Sequence, residues 1–586
     1  MTSVSRGEED KAPQQRAALP IERTHQRFLL RQLQFTQQYA AMYRCRMEAL
    51  QPRALRAVRA RVTASTAGNQ NGATANDSAP PFSRVLELAP GQRALCVGVL
   101  YKHMRLLPRF LDEYQKELVR IDAGEDDEDD QVGGVASIAC DAPLSVGDGD
   151  AFTSNEEGGE GGGGGGGESR QQPNTLCTAG DELFLEDISG RVRLEGVPAN
   201  LFCTGIVLGV EGSLRENGVL AVHRYAMTDA REMYVPRTLR SVSRLPPCYV
   251  AVVCGLALGC PQQEQQDPDV ARGRTMAELL VDYLSGNVGD AAVTAQAARI
   301  ARLVIAGNSI APTDELRLKK KVKLDPSDHV RLGDDRQGDG VVTSAMLMRE
   351  LDAVLARMAD TIEIDLMPGD QDMSNAFQPQ QPLHPLLLPE SSRRSSLKLV
   401  TNPHEFSVFP GDADDNGISN DNGKPPGTSG VSKTREGGTT FFVSSGNGLN
   451  DVIRETRYSN RLDALSMLLH CGCACPTAPN TLFSYPFKET DPFVFTRTPH
   501  CCIYCDQPEM QSRWEPLAPF VPTSDGAADE EEELSAAAAA AKDGAGVRLI
   551  CVPPFAKTGV LVLVDVNSPQ LDTTVVKFVS ASHTVV

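Results

Sequence analysis

The second half of this chain alternates short apolar runs with amphipathic stretches, and this alternation limits its fold more than any other feature. The predicted elements, in chain order, are strand 249–254, helices 275–285 and 291–300, strand 302–306, helix 344–360, strand 362–367, and strands 548–553, 559–567 and 573–580. Strands that alternate with helices form layered α/β domains, because the helices cover the apolar faces of the sheet. We therefore predict an α/β domain over residues 246–586.

Residues 84–240 carry a different pattern, with short strands separated by turns that contain glycine. The predicted strands are 92–101, a hairpin over 182–194 that turns at Ser189 and Gly190, 202–212 and 219–227. This order predicts a small closed barrel of the OB-fold type. Such barrels can bind single-stranded nucleic acid through a basic groove with stacking aromatic rings. The strand aromatics here are few, namely Tyr101, Phe184, Phe202 and Tyr225. A protein-contact role is therefore favoured, and DNA binding stays open.

Two segments precede the barrel. Residues 1–25 are polar and charged and are predicted to be disordered. Residues 26–63 are predicted to be helical, because Tyr39, Tyr43 and Met47 recur at helical spacing within 28–50. The apolar stripe of that helix could face a partner protein or the chain's own domain. Apolar stripes usually pack on their own core, which favours the second interpretation.

Low-complexity insertions interrupt both predicted domains. They cover about 122–173, 410–438 and 523–546, and the first contains acidic and glycine runs. Such segments cannot bury a core, so we predict disordered surface loops. The formal net charge of −20 argues against non-specific DNA binding as the main role, since that binding depends on neutralising phosphates. Because the chain has neither a long apolar run nor an apolar signal core at its N-terminus, we expect no membrane contact and no secretion.

The loops after the strands of the α/β domain resemble the metal-binding loops of dinuclear, calcineurin-like phosphoesterases, but their ligands are missing. In such enzymes these loops read Asp-x-His, Gly-Asp-x-x-Asp, Gly-Asn-His-Asp/Glu and Gly-His-x-His. The matching positions here are Gly255 and Ala257, Asn308 and Ala311, Asp370 and Gln371, and Asp506 and Pro508. Two-metal hydrolysis needs a cluster of carboxylates and imidazoles. We therefore expect an inactive phosphoesterase fold with no catalytic residue, no metal and no other cofactor.

Longer motifs narrow the resemblance further. They are 475–482, 485–487, 490–495 and 499–500, then 367–370 with 379–385, and 399–403. In these motifs the chain, from about Phe28 onward, resembles the small (B) subunits of replicative DNA polymerases, and the delta branch most closely. That family also includes the B subunits of the alpha and epsilon enzymes and the archaeal D-family small subunit. The resemblance implies an α+β multidomain protein, in which an OB-fold barrel packs with an inactive phosphoesterase domain built as a two-sheet α/β sandwich.

The same resemblance implies a function. It predicts a non-catalytic accessory subunit of DNA polymerase delta in DNA replication and repair. This subunit would hold the Cys-rich C-terminal domain of the catalytic subunit and a third, clamp-binding subunit. Its link to the sliding clamp and to DNA would be indirect. A basic run, Lys319, Lys320, Lys321 and Lys323, resembles a nuclear import signal, so we expect nuclear localisation. The sequence does not identify the residues that bind these partners.

Three other functions remain open. A residual metal-dependent phosphodiesterase or nuclease would have to use Asp370 and Asp372, and two carboxylates without histidines hold Mg²⁺ weakly. His384, His404 and His500 lie in this half of the chain but not at ligand positions. A free-standing nucleic-acid-binding protein would use the barrel, against the acidic charge. The chain could also be the B subunit of polymerase alpha or epsilon.

The cysteines also allow two interpretations. The chain has 15 cysteines, and six of them form the clusters Cys471, Cys473 and Cys475, and Cys501, Cys502 and Cys505. Together these clusters could ligate zinc, although zinc sites favour Cys pairs separated by two to four residues. The family resemblance covers both clusters without requiring cysteine there. We therefore favour reduced cysteines in the hydrophobic core.

Overall fold

Two six-stranded sheets lie face to face in the α/β part of the chain. The computed structural model describes residues 15–67, 80–107, 175–237, 245–312, 343–409, 437–518 and 544–579. Side chains from both sheets, including Val252, Val304, Phe406, Phe441 and Ile503, share one buried cluster. The apolar contact between the sheets makes this part a two-sheet sandwich, as predicted.

The first sheet draws on both ends of the chain. Its strands, in spatial order, are β1 (Ile21–Arg23), β11 (His404–Val408), β12 (Thr439–Ser444), β13 (Cys501–Tyr504), β15 (Gly546–Cys551) and β14 (Gln511–Pro516). The second sheet consists of β10 (Leu397–Leu399), β9 (Glu363–Met367), β8 (Ile300–Ala306), β7 (Tyr249–Val253), β16 (Val560–Asp565) and β17 (Thr573–Lys577). Strands β7 to β10 are parallel, so their carboxyl ends meet at one edge.

Helices cover the outer faces of the sandwich. The α-helices are α1 (Ala40–Ala67), α2 (Pro261–Gln266), α3 (Pro268–Ser285), α4 (Ala291–Ala298), α5 (Ser344–Ala359), α6 (Asn447–Glu455), α7 (Arg461–His470) and α8 (Phe555–Thr558). Helices α3 and α5 pack on the second sheet, and α6 and α7 pack on the first. The order helix, sheet, sheet, helix explains why most strands are apolar on both faces. No helix in the described ranges is long and apolar enough to cross a membrane.

The predicted barrel is present and closed. Its strands, in spatial order, are β2 (Arg93–His103), β3 (Glu182–Glu186), β4 (Arg191–Glu195), β6 (Val219–Ala226) and β5 (Val207–Leu214). The predicted hairpin turn is also present, because the Asp187 carboxylate accepts hydrogen bonds from the amides of Ser189 and Gly190 at 2.7 and 3.0 Å. Strand β5 begins later than predicted.

The prediction of disorder over residues 1–25 is wrong for its described part, 15–25. Strand β1 pairs with β11 and thereby adds an N-terminal strand to the predicted 246–586 domain. The Arg16 guanidinium donates to the carbonyls of Ala297 and Ile300 at 2.9 and 3.0 Å. Arg23 lies 2.7 Å from the buried Asp365 carboxylate. Polar composition suggested disorder, but these arginines find buried acceptors that lie hundreds of residues away in sequence.

The predicted N-terminal helix is shifted along the chain. Helix α1 begins at Ala40 rather than near residue 28, and residues 29–39 lack α-helical structure. Its buried residues, Leu50, Ala54, Val58 and Val62, pack against barrel residues that include Leu95, Val97 and Val207. The interpretation in which this helix packs on its own domain is therefore confirmed.

A buried arginine connects the barrel with the α/β part. Arg46 of α1 is fully buried, and its Nε lies 2.7 Å from Asp491. Its guanidinium also donates to the carbonyls of Gly205, Pro476 and Ala478 at 3.2, 2.6 and 2.8 Å. We call the contact of the barrel and α1 with α6 and the 475–491 loop the junction. One satisfied side chain thus connects three segments at the junction.

The predicted insertions fall mainly on residues outside the described ranges. This applies to 122–173, to most of 410–438 and to most of 523–546. The basic run Lys319, Lys320, Lys321 and Lys323 also lies outside these ranges.

Candidate functional site

Loops from both sheets meet at one end of the sandwich. The Gly255 amide, after β7, donates to the Gly307 carbonyl, after β8, at 2.9 Å. From the other sheet, the Asp506 amide donates to the Cys254 thiol sulfur at 3.3 Å. The Ala556 amide of α8, after β15, donates to the Gly255 carbonyl at 3.0 Å. We call the loops after β7, β8, β9, β12 and β13 the loop cluster.

The backbone of the loop cluster is unusual. Four non-glycine residues in the described ranges have positive φ, and three of them lie here. They are Ala257, Asn308 and Asp506, with φ of 48°, 54° and 54°. Asn and Asp tolerate the left-handed region, but alanine rarely adopts it. Such conformations concentrate at functional sites, where surrounding contacts enforce them. Here the Ala257 amide donates to the Asn308 carbonyl at 3.2 Å.

Asp372 joins two of these loops through backbone amides. Its buried carboxylate accepts hydrogen bonds from Ser309, Ile310 and Gly369 at 2.8, 3.2 and 2.8 Å. Burial raises the pKa of Asp372 to about 6, and these amide bonds oppose the shift. This carboxylate therefore holds the loops after β8 and β9 together.

The next acidic position, Asp370, is exposed. Its carboxylate accepts a hydrogen bond from the Asn447 side chain at 2.7 Å. Nearby, the Gln371 amide donates to the Asn308 side-chain oxygen at 3.2 Å. The polar side chains next to Asp370 and Gln371 are thus those of Asn447 and Asn308, which carry neutral amide groups.

A buried amide network extends the loop cluster toward β10 and β12. The Asn402 side chain donates to the Gln380 side-chain oxygen at 2.7 Å and bonds to the Ser445 hydroxyl. In return, the Ser445 amide donates to the Asn402 oxygen at 3.0 Å. These three residues are at most 2% exposed, so the network lies inside the molecule. Sequence reasoning missed it, although Asn402 lies in the 399–403 motif.

The three histidines named in the sequence analysis have structural partners. His500 Nδ1 accepts from the Thr440 amide at 2.9 Å, and its Nε2 faces the Val235 carbonyl at 2.8 Å. His384 Nδ1 accepts from the Leu386 amide at 3.2 Å, and His404 lies 3.3 Å from Asp365. Burial lowers the pKa of His500 to about 4, which keeps it neutral. None of these imidazoles belongs to the loop cluster.

The six clustered cysteines lie in the hydrophobic core. Cys471, Cys473 and Cys475, and likewise Cys501, Cys502 and Cys505, are all at most 2% exposed. The Cys471 thiol donates to the Leu468 carbonyl at 3.2 Å, and burial raises the pKa of Cys473 to about 12. Within the described part of the chain, no group of three or more His, Cys, Asp or Glu side chains is placed to hold a metal ion.

An exposed apolar surface lies near the loop cluster. Its members, which we call the aromatic surface, are the exposed side chains Leu33, Phe35, Tyr39 and Phe483 and the half-buried Phe377. The Phe35 ring lies 5.6 Å from the Phe377 ring and is 59% exposed, and Phe483 is 69% exposed. Phe377 follows Asp372 in the same loop. Contiguous exposed apolar side chains of this kind mark protein–protein interaction sites.

Comparison with known families covers both parts of the chain. A family model for the B subunit of DNA polymerase alpha/epsilon matches residues 250–512. A second, described as the DNA polymerase delta subunit OB-fold domain, matches residues 38–142 and 154–225. The chain belongs to the DNA polymerase B-subunit family. The OB-fold assignment of the barrel is thereby confirmed.

Curated relatives within the B-subunit family extend over most of the chain. The DNA polymerase delta small subunit of Arabidopsis thaliana is 27% identical over 497 residues, which are 84% of this chain and 84% of the relative. That of Saccharomyces cerevisiae is 26% identical over 513 residues, which are 84% of this chain and 80% of the relative. The small subunit of Oryza sativa subsp. japonica is 26% identical over 494 residues, which are 84% of this chain and 86% of the relative.

In this member of the B-subunit family, the loop cluster gathers most of the predicted positions. Gly255, Ala257, Asn308, Asp370, Gln371 and Asp506 lie in its loops. Ala311 lies at its margin, where its amide donates to the Leu258 carbonyl at 2.9 Å. Pro508 is exposed beyond Gln507. The arrangement connects these loops, and its acidic side chains Asp370, Asp372 and Asp506 do not form a group that could hold a metal ion within the described ranges.

Proposed function

We propose that this protein is the small accessory subunit of a DNA polymerase delta, and that it acts as a rigid, non-catalytic scaffold. The observation that carries the proposal is the match to delta small subunits over 84% of the chain, across both the barrel and the sandwich. The match covers at least 80% of the length of those relatives, so the likeness extends over nearly the whole architecture.

The sandwich supports descent from a calcineurin-like phosphoesterase that has lost its chemistry. Its two sheets, its covering helices and the loops at one end follow the order that the sequence resemblance implies. In the loop cluster, Asp372 binds amides and Asn402 binds Gln380 and Ser445. Polar groups that already satisfy one another are poor ligands for two cations. The scaffold therefore contributes geometry to the polymerase complex instead of a reaction.

The junction gives such a scaffold its stiffness. Arg46 is fully buried and connects α1 with the barrel and with the 475–491 loop. Breaking this contact would leave Asp491 as a buried, uncompensated charge, which is costly. The barrel and the sandwich should therefore keep their relative orientation when a partner subunit binds to either of them.

The aromatic surface is the docking site that we propose for the catalytic subunit, through its Cys-rich C-terminal domain. Obligate interfaces are apolar and bury aromatic anchors. Phe35 and Phe483 are the most exposed aromatic side chains of the described ranges and have that character. The third, clamp-binding subunit would occupy a different surface, so that the chain connects polymerase and clamp.

Co-expression with both proposed partner subunits tests the assembly. The wild-type chain should co-purify with the catalytic and third subunits in equal amounts. Phe35→Asp with Phe483→Asp should abolish recovery of the catalytic subunit and leave recovery of the third subunit intact. The control Leu386→Asp changes a side chain that is 82% exposed and lies outside the aromatic surface, and it should bind both subunits. A wild-type chain that binds neither of them would overturn the function. Normal binding by the double variant would overturn only the docking site.

Nuclear localisation is part of the proposal and rests on the basic run at 319–323. A fluorescent fusion of the whole chain should accumulate in the nucleus. Replacing Lys319, Lys320, Lys321 and Lys323 with alanine should shift it to the cytoplasm when its partners are absent. An unchanged nuclear signal would contradict the role of this run.

A further inference from the structure

The end of α6 forms a second contact across the junction, separate from Arg46. The Leu176 amide, from the segment that leads into β3, donates to the Arg454 carbonyl at 2.7 Å. The Thr204 amide, just before β5, donates to the Glu455 carboxylate at 3.2 Å. The Arg457 amide donates to the Asn200 carbonyl at 2.8 Å. Glu455 is the charged side chain at the centre of this contact, and it is fully buried.

Two carboxylates here face a single hydroxyl group. Thr481 Oγ1 lies 2.6 Å from Asp451 Oδ2 and 2.8 Å from Glu455 Oε1. A hydroxyl carries one proton and can donate to only one of these acceptors. The second short contact therefore needs a proton from a carboxyl group. If either Asp451 or Glu455 is protonated, that carboxyl group donates to the Thr481 oxygen while the Thr481 hydroxyl donates to the other carboxylate, and both short distances are explained.

The charged and titratable groups around Glu455 favour one shared proton. Lys102 is 1% exposed, and its ammonium group lies 3.5 Å from Asp181 and donates to the Glu455 carbonyl. Arg454 lies 3.4 Å from Asp451, with a largely exposed side chain. The other neighbours include Cys177, Cys203, Tyr43, the Arg46–Asp491 pair, and Arg457, whose guanidinium donates to the Cys177 carbonyl at 3.2 Å. Ionising both Asp451 and Glu455 would set two carboxylates against one hydroxyl in this buried contact, which disfavours the doubly charged state.

We propose that Asp451, Thr481 and Glu455 share one proton and form a pH-sensitive lock between α6 and the barrel. In the locked state the Glu455 acid donates to the Thr481 oxygen, and the Thr481 hydroxyl donates to Asp451. When Glu455 releases its proton to solvent, two carboxylates face one hydroxyl and repel each other. The Thr204 amide then binds a charged, more strongly hydrated carboxylate, while the Lys102 ammonium group stays on the backbone carbonyl of Glu455. This device does not depend on the presence of any partner protein.

The pKa of Glu455 supports the same direction. Burial, and then the charge of Asp451, raises it from 4.5 to about 7. The folded chain therefore holds this proton more tightly than the unfolded chain. It follows that the stabilisation from Glu455 is present below its ordinary pKa and declines as the pH rises toward about 7. The lock would thus loosen within the physiological pH range.

Unfolding of the full-length chain, measured between pH 5 and pH 8.5, tests the lock. Glu455→Gln keeps a neutral side chain of the same shape. It should raise the thermal midpoint above that of the wild type at pH 8 and flatten the decline between pH 5 and pH 7.5. The control Glu489→Gln, at an exposed glutamate, should leave the profile unchanged. If Glu455→Gln keeps the full pH slope, the proposal is overturned.

Two further measurements do not depend on the midpoint. At pH 6 the infrared band of protonated carboxyl groups should be weaker in Glu455→Gln than in the wild type, and its component that fades near pH 7 should be absent from the variant. The component from Asp372, whose pKa is about 6, should remain in both proteins. Hydrogen exchange at Thr204 and Lys102, corrected for its intrinsic pH dependence, should accelerate above pH 7 in the wild type and not in Glu455→Gln. If Glu455→Gln still shows both the infrared component that fades near pH 7 and the faster exchange, the lock is overturned, even if the thermal midpoint of the variant changes.

Discussion

The loop cluster and the junction differ in the groups that neutralise their buried carboxylates. In the loop cluster, amides and hydroxyl groups surround one buried carboxylate, Asp372, which is held by backbone amides alone. At the junction, Arg46 and Lys102 face buried carboxylates directly. Both regions are polar and buried, but only the second contains ion pairs between side chains. The junction therefore contains buried ion pairs, as does the site of Asp365 with Arg23 and Arg302 in the sandwich, whereas the loop cluster relies on amides.

This difference indicates which region the fold depends on. A buried ion pair gives a unique geometry, and removing one partner is costly because the other charge stays behind. A network of neutral amides loses less when one member changes. The expected effects of substitution should therefore fall from the junction to the loop cluster.

The largest effect is expected at Arg46. Arg46→Met removes the partner of Asp491 and leaves three carbonyls without their donor. We expect a loss of about 3–5 kcal/mol in the free energy of unfolding, measured by urea titration. Arg44→Met is the matched control, since Arg44 is largely exposed and lies 3.9 Å from Glu48. Its cost should stay below about 0.5 kcal/mol.

A double variant sharpens this prediction. Arg46→Met with Asp491→Asn should be less destabilised than Arg46→Met alone, because the orphaned charge is gone. If the single variant costs under about 1 kcal/mol, the junction is not the electrostatic connection described above.

An intermediate effect is expected at Asp372. Asp372→Ala leaves the amides of Ser309, Ile310 and Gly369 without an acceptor, for a cost of about 1–3 kcal/mol. Asp370→Ala, at the neighbouring exposed carboxylate, should cost less than about 0.5 kcal/mol. Equal costs for the two variants would show that the loop cluster does not rely on Asp372.

The Asp372 effect should also depend on pH. Its pKa is raised from 3.8 to about 6, so the folded chain binds this proton more tightly than the unfolded chain. The stabilisation from Asp372 is therefore largest at low pH and declines as the pH rises through this window. Asp372→Ala should cost more at pH 5 than at pH 8, as urea titrations at both values would show. The reverse order would contradict the assigned shift.

The smallest effect is expected from added metal. Mn²⁺, Mg²⁺ or Zn²⁺ should leave the thermal midpoint of the purified chain unchanged, and calorimetry should detect no tight two-site binding. The positions Gly255, Ala257, Asn308 and Ala311 offer no carboxylate or imidazole to two cations about 4 Å apart. Metal-dependent cleavage of a nitrophenyl phosphodiester that disappears in Asp370→Ala, Asp372→Ala would break the comparison between the two regions.

Sequence reasoning predicted regular elements better than the contacts between them. The strand at 249–254 and the helix at 344–360 were predicted nearly to the residue, because apolar runs and helical stripes are local patterns. Helix α1 begins later than predicted because Phe35 lies at helical spacing from Tyr39, yet residues 29–39 are not α-helical and the Phe35 ring packs against Phe377 and Tyr485 instead.

The polar contacts could be predicted only where the loop sequence carried the information. Asp372 lies three residues after Gly369, so its hydrogen bond to the Gly369 amide is a local contact of the kind a loop sequence can indicate. Asn402, Gln380 and Ser445 come from three separate segments, and no local pattern relates them. The same holds for Arg16 and Arg23, whose acceptors lie near residues 300 and 365. Composition alone therefore predicted disorder where the chain is ordered.

The sequence separation across the junction has a consequence for how the protein is made. Arg46 pairs with Asp491, 445 residues later in the chain. At ~5–20 residues per second, synthesis would take roughly 20–90 seconds to pass from one to the other. During that time α1 would be outside the ribosome with the Arg46 guanidinium unpaired, and β1 would lack its partner strand β11 until residues 404–408 are synthesised. Folding should therefore be largely post-translational, and the nascent chain should depend on chaperones more than a protein with local contacts does.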